Sequence, residues 1–262
     1  MPRVQTIATV IGRGHGGTRA AISWLQSAGF DIECGMGLNN SQDRIHRNAY
    51  ECARIAGRHA RHLGGARWDF SDLLEGPIDP EWVRLMDGYL DRVLRGPGRP
   101  HRAWKLPETL LSYPWLVRQY PEIRFLIWHR DPRDAILKQH GTDDLGSWGV
   151  QWDDPQDELL RRALSWVYQF EIVRAVEESG LEHASTTLRL RDFVYHQRHA
   201  RRAVSDLLGV DVPAFPVKRA AVGRHKSEPR FSGPVREVIA PYIHLFRNEA
   251  MAWGTPDFEA TP

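Results

Sequence analysis

The turn Gly12-Arg13-Gly14-His15-Gly16-Gly17-Thr18-Arg19 combines four glycines with two arginines and a histidine directly after an apolar run. Glycines let backbone amides come close to an anion, and a helix that starts after such a turn adds unpaired N–H groups and a partial positive charge. Gly12 and Gly17 have the spacing of a phosphate-binding loop. In such loops the next two residues are Lys, for the outer phosphates, and Ser or Thr, for magnesium. Here those places hold Thr18 and Arg19. The pattern predicts an anion site and speaks against magnesium-dependent hydrolysis of a nucleoside triphosphate. Gly12, Gly14 and Gly17 also match a dinucleotide fingerprint, but no acidic ribose-binding residue ends a second strand about 20 residues later. A turn that merely connects strand to helix is the remaining reading.

A second cationic cluster lies in "IWHRDPRDAILK". Arg130 ends an apolar strand, Asp131 and Pro132 open a helix, and Lys138 is expected about two turns into it, on the side of Asp134. Two cations at the carboxyl edge of a sheet suit a second phosphate; an exposed Asp134–Lys138 pair is the alternative.

Regular elements must position these groups. Residues 4–11 read as a buried strand, and residues 17–28, with Ala21, Ile22, Trp24 and Leu25 at helical spacing, read as a helix. Further helices are expected over 43–63 and from Asp79, with Pro80 at its first position, before "GPGRPHR" breaks the chain. A strand ending at Lys105, a helix to about Gln119, the strand "IRFLIWH" and a helix after Pro132 come next. The pattern continues with a long helix over 156–178, the strand "TTLRLR", a helix stopped by Gly209, a loop with "GRHKSEP", and a last helix to about Trp253. Such alternation predicts an α/β fold: a three-layer sandwich with a central parallel sheet, as one domain over residues 1–262.

Composition narrows the function classes. At 262 residues and a formal charge of +2, the chain lacks the basic excess of a nucleic-acid binder. Lysine accounts for 4 of the 35 basic residues, an arginine bias that fits a GC-rich, bacterial genome. Cys34 and Cys52 make neither a disulfide framework nor a zinc site. No membrane-spanning run and no leader is expected, which predicts a cytoplasmic protein. The histidine pairs His59/His62 and His196/His199 sit among arginines and read as solvated helix faces, so no metal site is expected.

The front turn "GRGHGGTR", the strand ending in "WKLPET", the strand ending in "RDPRD", then "LRLRDF" and "VGRHKSEP" together resemble the sulfotransferases that use 3′-phosphoadenosine 5′-phosphosulfate, PAPS. The resemblance runs from Gly12 to Trp253 and implies a P-loop NTPase-like sulfotransferase fold working without a metal. It implies that Arg13, Gly14, Gly16, Gly17, Thr18 and Arg19 hold the 5′-phosphosulfate, with Arg130 and Lys138 on the 3′-phosphate. Gly223, Arg224 and Lys226 would close over the same end. His15 stands where many members carry Lys or Arg, and Lys105 is a further source of charge beside the transferring group.

Transfer to a hydroxyl or amine needs a base near the acceptor, for which Glu108 and then Asp43 are the candidates; Asn40 could bind the acceptor. Trp148 and Trp152, in the polar stretch "TDDLGSWGVQWDDP", could line an acceptor cleft. A carbohydrate or small molecule is the expected acceptor, and oligomeric state is not readable. A P-loop kinase and a non-catalytic nucleotide binder are the competing readings; the kinase would require a lysine in the turn and a magnesium-binding carboxylate at a strand end.

Overall fold

In the computed structural model, residues 6–32, 47–94, 100–217, 219–224 and 231–246 are described. They build a five-stranded sheet from β1 (Thr6–Ile11), β2 (Asp31–Ile32), β5 (His101–Lys105), β6 (Arg124–His129) and β7 (Ala184–Arg189), while β3 (Arg61–His62) and β4 (Trp68–Asp69) form a small antiparallel pair. The sheet order is β2-β5-β1-β6-β7, and every neighbouring pair runs parallel. Parallel neighbours require crossovers. These contain α1 (Thr18–Ser27), α2 (Arg47–Gly57), α3 (Ser71–Glu75), α4 (Pro80–Leu94), α5 (Tyr113–Gln119), α6 (Pro132–Ala135) and α7 (Glu158–Glu178). After β7 come α8 (Leu190–Tyr195), α9 (Gln197–Leu208) and α10 (Gly233–Ile243).

The strands alternate between two cores, as a period of two demands. Ala8 and Val10 of β1, Ala103 of β5 and Leu126 and Trp128 of β6 pack with α1, α8 and α9. Ile11, Trp104, Phe125 and Ile127 face the other way, onto α2, α4, α5 and α7. The expected three-layer α/β sandwich is therefore present, and each large apolar side chain it buries contributes about 1.5–3 kcal/mol. Register then builds the site: Val10 lies opposite Lys105 and Ile11 opposite Ile127, so the carboxyl ends of β1, β5 and β6 finish side by side.

Three expected elements come out differently. The helix expected over 43–63 ends at Gly57, where an added Cβ would lie 2.0 Å from the Trp148 carbonyl oxygen; the chain then turns into β3. Behind Lys105 the chain makes a 3₁₀ turn over Pro107–Ser112 before α5 begins. The helix after Pro132 is a single turn, capped by Asp131, whose side chain accepts from the Arg133 amide, so Lys138 lies beyond it. Gly209 ends α9 with φ 68°, as its place in the sequence predicts. The part of the last helix expected beyond residue 246 lies outside the described residues.

Candidate active site

The front turn follows β1 directly and is fixed from three sides. Gly17, at the start of α1, has φ 101°, a left-handed conformation that favours glycine, and α1 has neither a side-chain cap nor an acidic residue in its first turn. The Ala20 amide donates to the Gly17 carbonyl at 2.9 Å, while the amides ahead of it at the start of the helix have no intrahelical acceptor, and the helix dipole makes that end attractive to an anion. Trp128 of β6 donates its indole N–H to the Gly16 carbonyl at 3.1 Å. Arg130 Nη1 donates to the His15 carbonyl at 3.0 Å. His15 itself is, among the described residues, the non-glycine residue with positive φ, 59°, a region in which His is enriched.

Around this turn opens a cleft of about 400 Å³. Arg19, Lys105, Arg130, Lys138 and Arg224 give it cationic lining, and Leu190, Phe193, Val194, Pro216 and Val217 give it apolar lining. Gly14, His15, Gly17 and Thr18 line it as well. Residues drawn from five separate stretches of sequence thus share one wall. No Asp or Glu lines the cleft among the described residues.

Other expected site residues take different roles. Arg13 is buried, and its five N–H groups are all engaged inside the protein. Nε and Nη2 meet the Asp143 carboxylate at 2.9 and 2.5 Å; Nη1 donates to the Ala135 and Gly14 carbonyls at 2.8 and 3.1 Å, and Nη2 to that of Lys138 at 2.9 Å. It has no N–H left for a ligand, a different role from its expected place among the nucleotide's donors. The Gly16 amide is likewise used, donating to the Arg13 carbonyl at 3.0 Å. Gly223 has φ 78° and donates its amide to Asp134 Oδ2 at 2.8 Å, so it shapes the loop that carries Arg224. Asp134 faces Arg130 at 3.7 Å in place of the expected pair with Lys138.

Glu108 is 7% exposed in the 3₁₀ turn and does not line the cleft. Asp43, Asn40 and Lys226 lie outside the described residues. Trp148 is buried, donating to the Gly141 carbonyl at 2.8 Å beneath the Arg54 guanidinium, and Trp152 packs on His62 and Trp68; neither lines the cleft. His196 is 1% exposed, so it belongs to the interior and not to the solvated face expected of it. No cluster of metal-ligating side chains occurs among the described residues.

Electrostatics and burial set the state of the imidazoles. The pKa of His15 lies below its ordinary value, first through burial and then through Arg13, Lys138 and Arg19, so the ring is neutral near pH 7. His140, which no motif marks in the sequence, lines the cleft beside it with ring centroids 5.5 Å apart. Burial, with Arg13, His15 and Lys105 nearby, holds its pKa down at about 3. Burial also pulls Arg130 below the usual guanidinium range, with Asp134 opposing the shift.

The amino-acid sequence matches the family model described as "Sulfotransferase family" over residues 19–214. Among solved structures, the sulfotransferase domain from the curacin biosynthetic pathway is similar at 13% identity and a TM-score of 0.46, covering 88% of this chain and 85% of that one. A sulfotransferase from Alicyclobacillus acidocaldarius is similar at 13% identity and a TM-score of 0.46, covering 94% and 95%. No curated protein matches.

Proposed function

This chain belongs to the sulfotransferase family, and we propose that it transfers a sulfuryl group from PAPS to a hydroxyl or amine of a carbohydrate or small-molecule acceptor. The observation that carries the choice of donor is the composition of the cleft. An uncapped helix N-terminus, five cationic side chains and a set of apolar ones on the same cleft suit a ligand with more than one anionic group and a flat base. The first-turn amides of α1 with Arg19 would hold the 5′ end. Arg130, Lys138 and Arg224 would hold the 3′-phosphate, with the base against Leu190, Phe193 and Val217.

PAPS, when bound, supplies an activated sulfuryl group; the protein supplies placement and charge. Lys105, fixed at the end of β5, brings a cation to the wall where negative charge grows during transfer, and a fixed cation there costs no reorganisation. His15, being neutral, offers a hydrogen bond and not the charge that Lys or Arg would bring. The wall lacks a described carboxylate for magnesium, which disfavours a kinase. Asp43 and Glu108 stand as proposals for the base, to be separated by the turnover of Asp43→Asn and Glu108→Gln.

Thermal denaturation with added nucleotide tests the donor. 3′-Phosphoadenosine 5′-phosphate, PAP, is expected to raise the melting temperature far more than AMP, which lacks the 3′-phosphate, and Arg130→Ala is expected to abolish that difference. Equal shifts with PAP and AMP would refute the assignment.

A further inference from the structure

We propose that His140, as a neutral imidazole with its proton on Nε2, is a hydrogen-bond donor to the sulfonate of the bound donor nucleotide; this rests on the sulfotransferase reading above. The tautomer follows from what meets the other nitrogen. The Thr142 backbone N–H donates to Nδ1 at 3.2 Å, and a backbone N–H cannot reverse its direction, so Nδ1 is the acceptor and Nε2 carries the hydrogen. The Thr142 hydroxyl stands 3.0 Å from the same nitrogen and is held by Gln169 Nε2 at 3.3 Å, which also donates to Ser165 Oγ at 2.8 Å; Ser165 Oγ in turn donates to the Thr142 carbonyl at 2.9 Å. The His140 amide donates to Asp143 Oδ2 at 2.7 Å, the oxygen that also meets Arg13. One buried network therefore holds the ring on α7 and on the front turn.

The other edge of the ring faces the cleft. Nε2 has no acceptor among the described residues, and it lies so close to the turn that a Cβ on Gly14 would come within 2.0 Å of it. Gly14 thus has a second reason to be glycine besides phosphate binding: it admits this ring. His140 lines the same cleft as His15 and Lys105, with the His15 ring centroid 5.5 Å from its own. The low pKa of the ring is consistent with a neutral donor there, and a neutral imidazole can polarise an oxygen without first losing a proton.

The sulfonate distinguishes PAPS from PAP, so the test is the ratio of their affinities, measured by calorimetry without acceptor on folded protein. Unaltered protein is expected to bind PAPS more tightly than PAP. In His140→Phe the PAPS affinity should fall about 10-fold, the loss typical of one hydrogen bond to a charged group, with PAP affinity unchanged. In His140→Gln, which keeps an N–H, most of the preference should return. An unchanged ratio in His140→Phe overturns the proposal while leaving the donor assignment intact, whereas failure of both nucleotides to bind the unaltered protein refutes both. Should His140→Phe not fold, ¹⁵N spectra of histidine-labelled protein decide: a proton on Nε2 at pH 7 that shifts on adding PAPS and not on adding PAP supports the role, and a proton on Nδ1 or no PAPS-specific shift refutes it.

Discussion

Replacing Arg13 separates a strut from a ligand. Its guanidinium and the Asp143 carboxylate are 4% and 2% exposed and meet through two nitrogens, so Arg13→Met leaves a buried carboxylate whose remaining partner among the described residues is the His140 amide. Breaking a buried pair by removing one member costs about 3–5 kcal/mol. For a chain of this size, each kcal/mol lowers the melting temperature by about 2–4 °C, so the expected fall is about 6–20 °C. Asp143→Asn should fall in the same range. Because the two residues share one contact, the double variant should be less destabilised than the singles predict, by about 0.5–3 kcal/mol. Urea denaturation of the four proteins measures all of this, and calorimetry with PAP on the folded fraction supplies the second arm. Since every N–H of Arg13 is turned inward, PAP affinity in Arg13→Met should stay within a few-fold. A variant of normal stability that no longer binds PAP would refute the assignment and return Arg13 to the nucleotide.

Three other outcomes are expected. Arg130→Ala should weaken PAP about 10- to 100-fold, as loss of a charge-assisted contact implies, while AMP affinity changes little; calorimetry reads both. Gly14→Ala would place a Cβ 1.9 Å from His140 Cδ2, so the ring must swing away at a cost of about 1–3 kcal/mol, and the preference for PAPS over PAP should be lost as in His140→Phe. Acid should weaken the fold through two histidines: burial holds His129 at about 4, with Arg189 adding to the shift, and His140 at about 3. Above pH 6.5 both are neutral folded and unfolded. Below it the unfolded chain takes up protons the folded chain refuses, so each costs about 1.4 kcal/mol per pH unit until its folded pKa is reached. Denaturation of His129→Gln between pH 6.5 and 4 should show a slope shallower by that amount.

The strands and helices with strong periodicity were legible in the sequence. The runs before Gly12 and Arg130 and the long pattern at 156–178 all occur, because each must bury a face against the sheet. β2 was not, since the two residues Asp31–Ile32 carry no pattern and pair only because β5 offers an edge. The helix expected over 43–63 ran too far because its amphipathic spacing continues past Gly57, and what stops it is the approach of Trp148 from nearly a hundred residues away. At the site, residue type announced an anion but could not say which arginine serves it. Arg13 and Arg19 look alike in the turn; only the position of Asp143 turns the first inward. His140 was invisible for the same reason, because its importance lies in Gly14 and Thr142 meeting its two ring edges. The one sequence trace of it is a glycine beside His15 where the backbone needs no positive φ.

Calorimetric titration of the unaltered protein with PAP and, separately, with ATP and magnesium decides whether the cleft serves PAPS or a magnesium nucleotide. PAP is expected to bind at one site per chain and much more tightly, with the affinity falling about 10- to 100-fold in Arg130→Ala. Preference for ATP with magnesium would contradict the account and make a kinase-like activity the better reading of the same cleft.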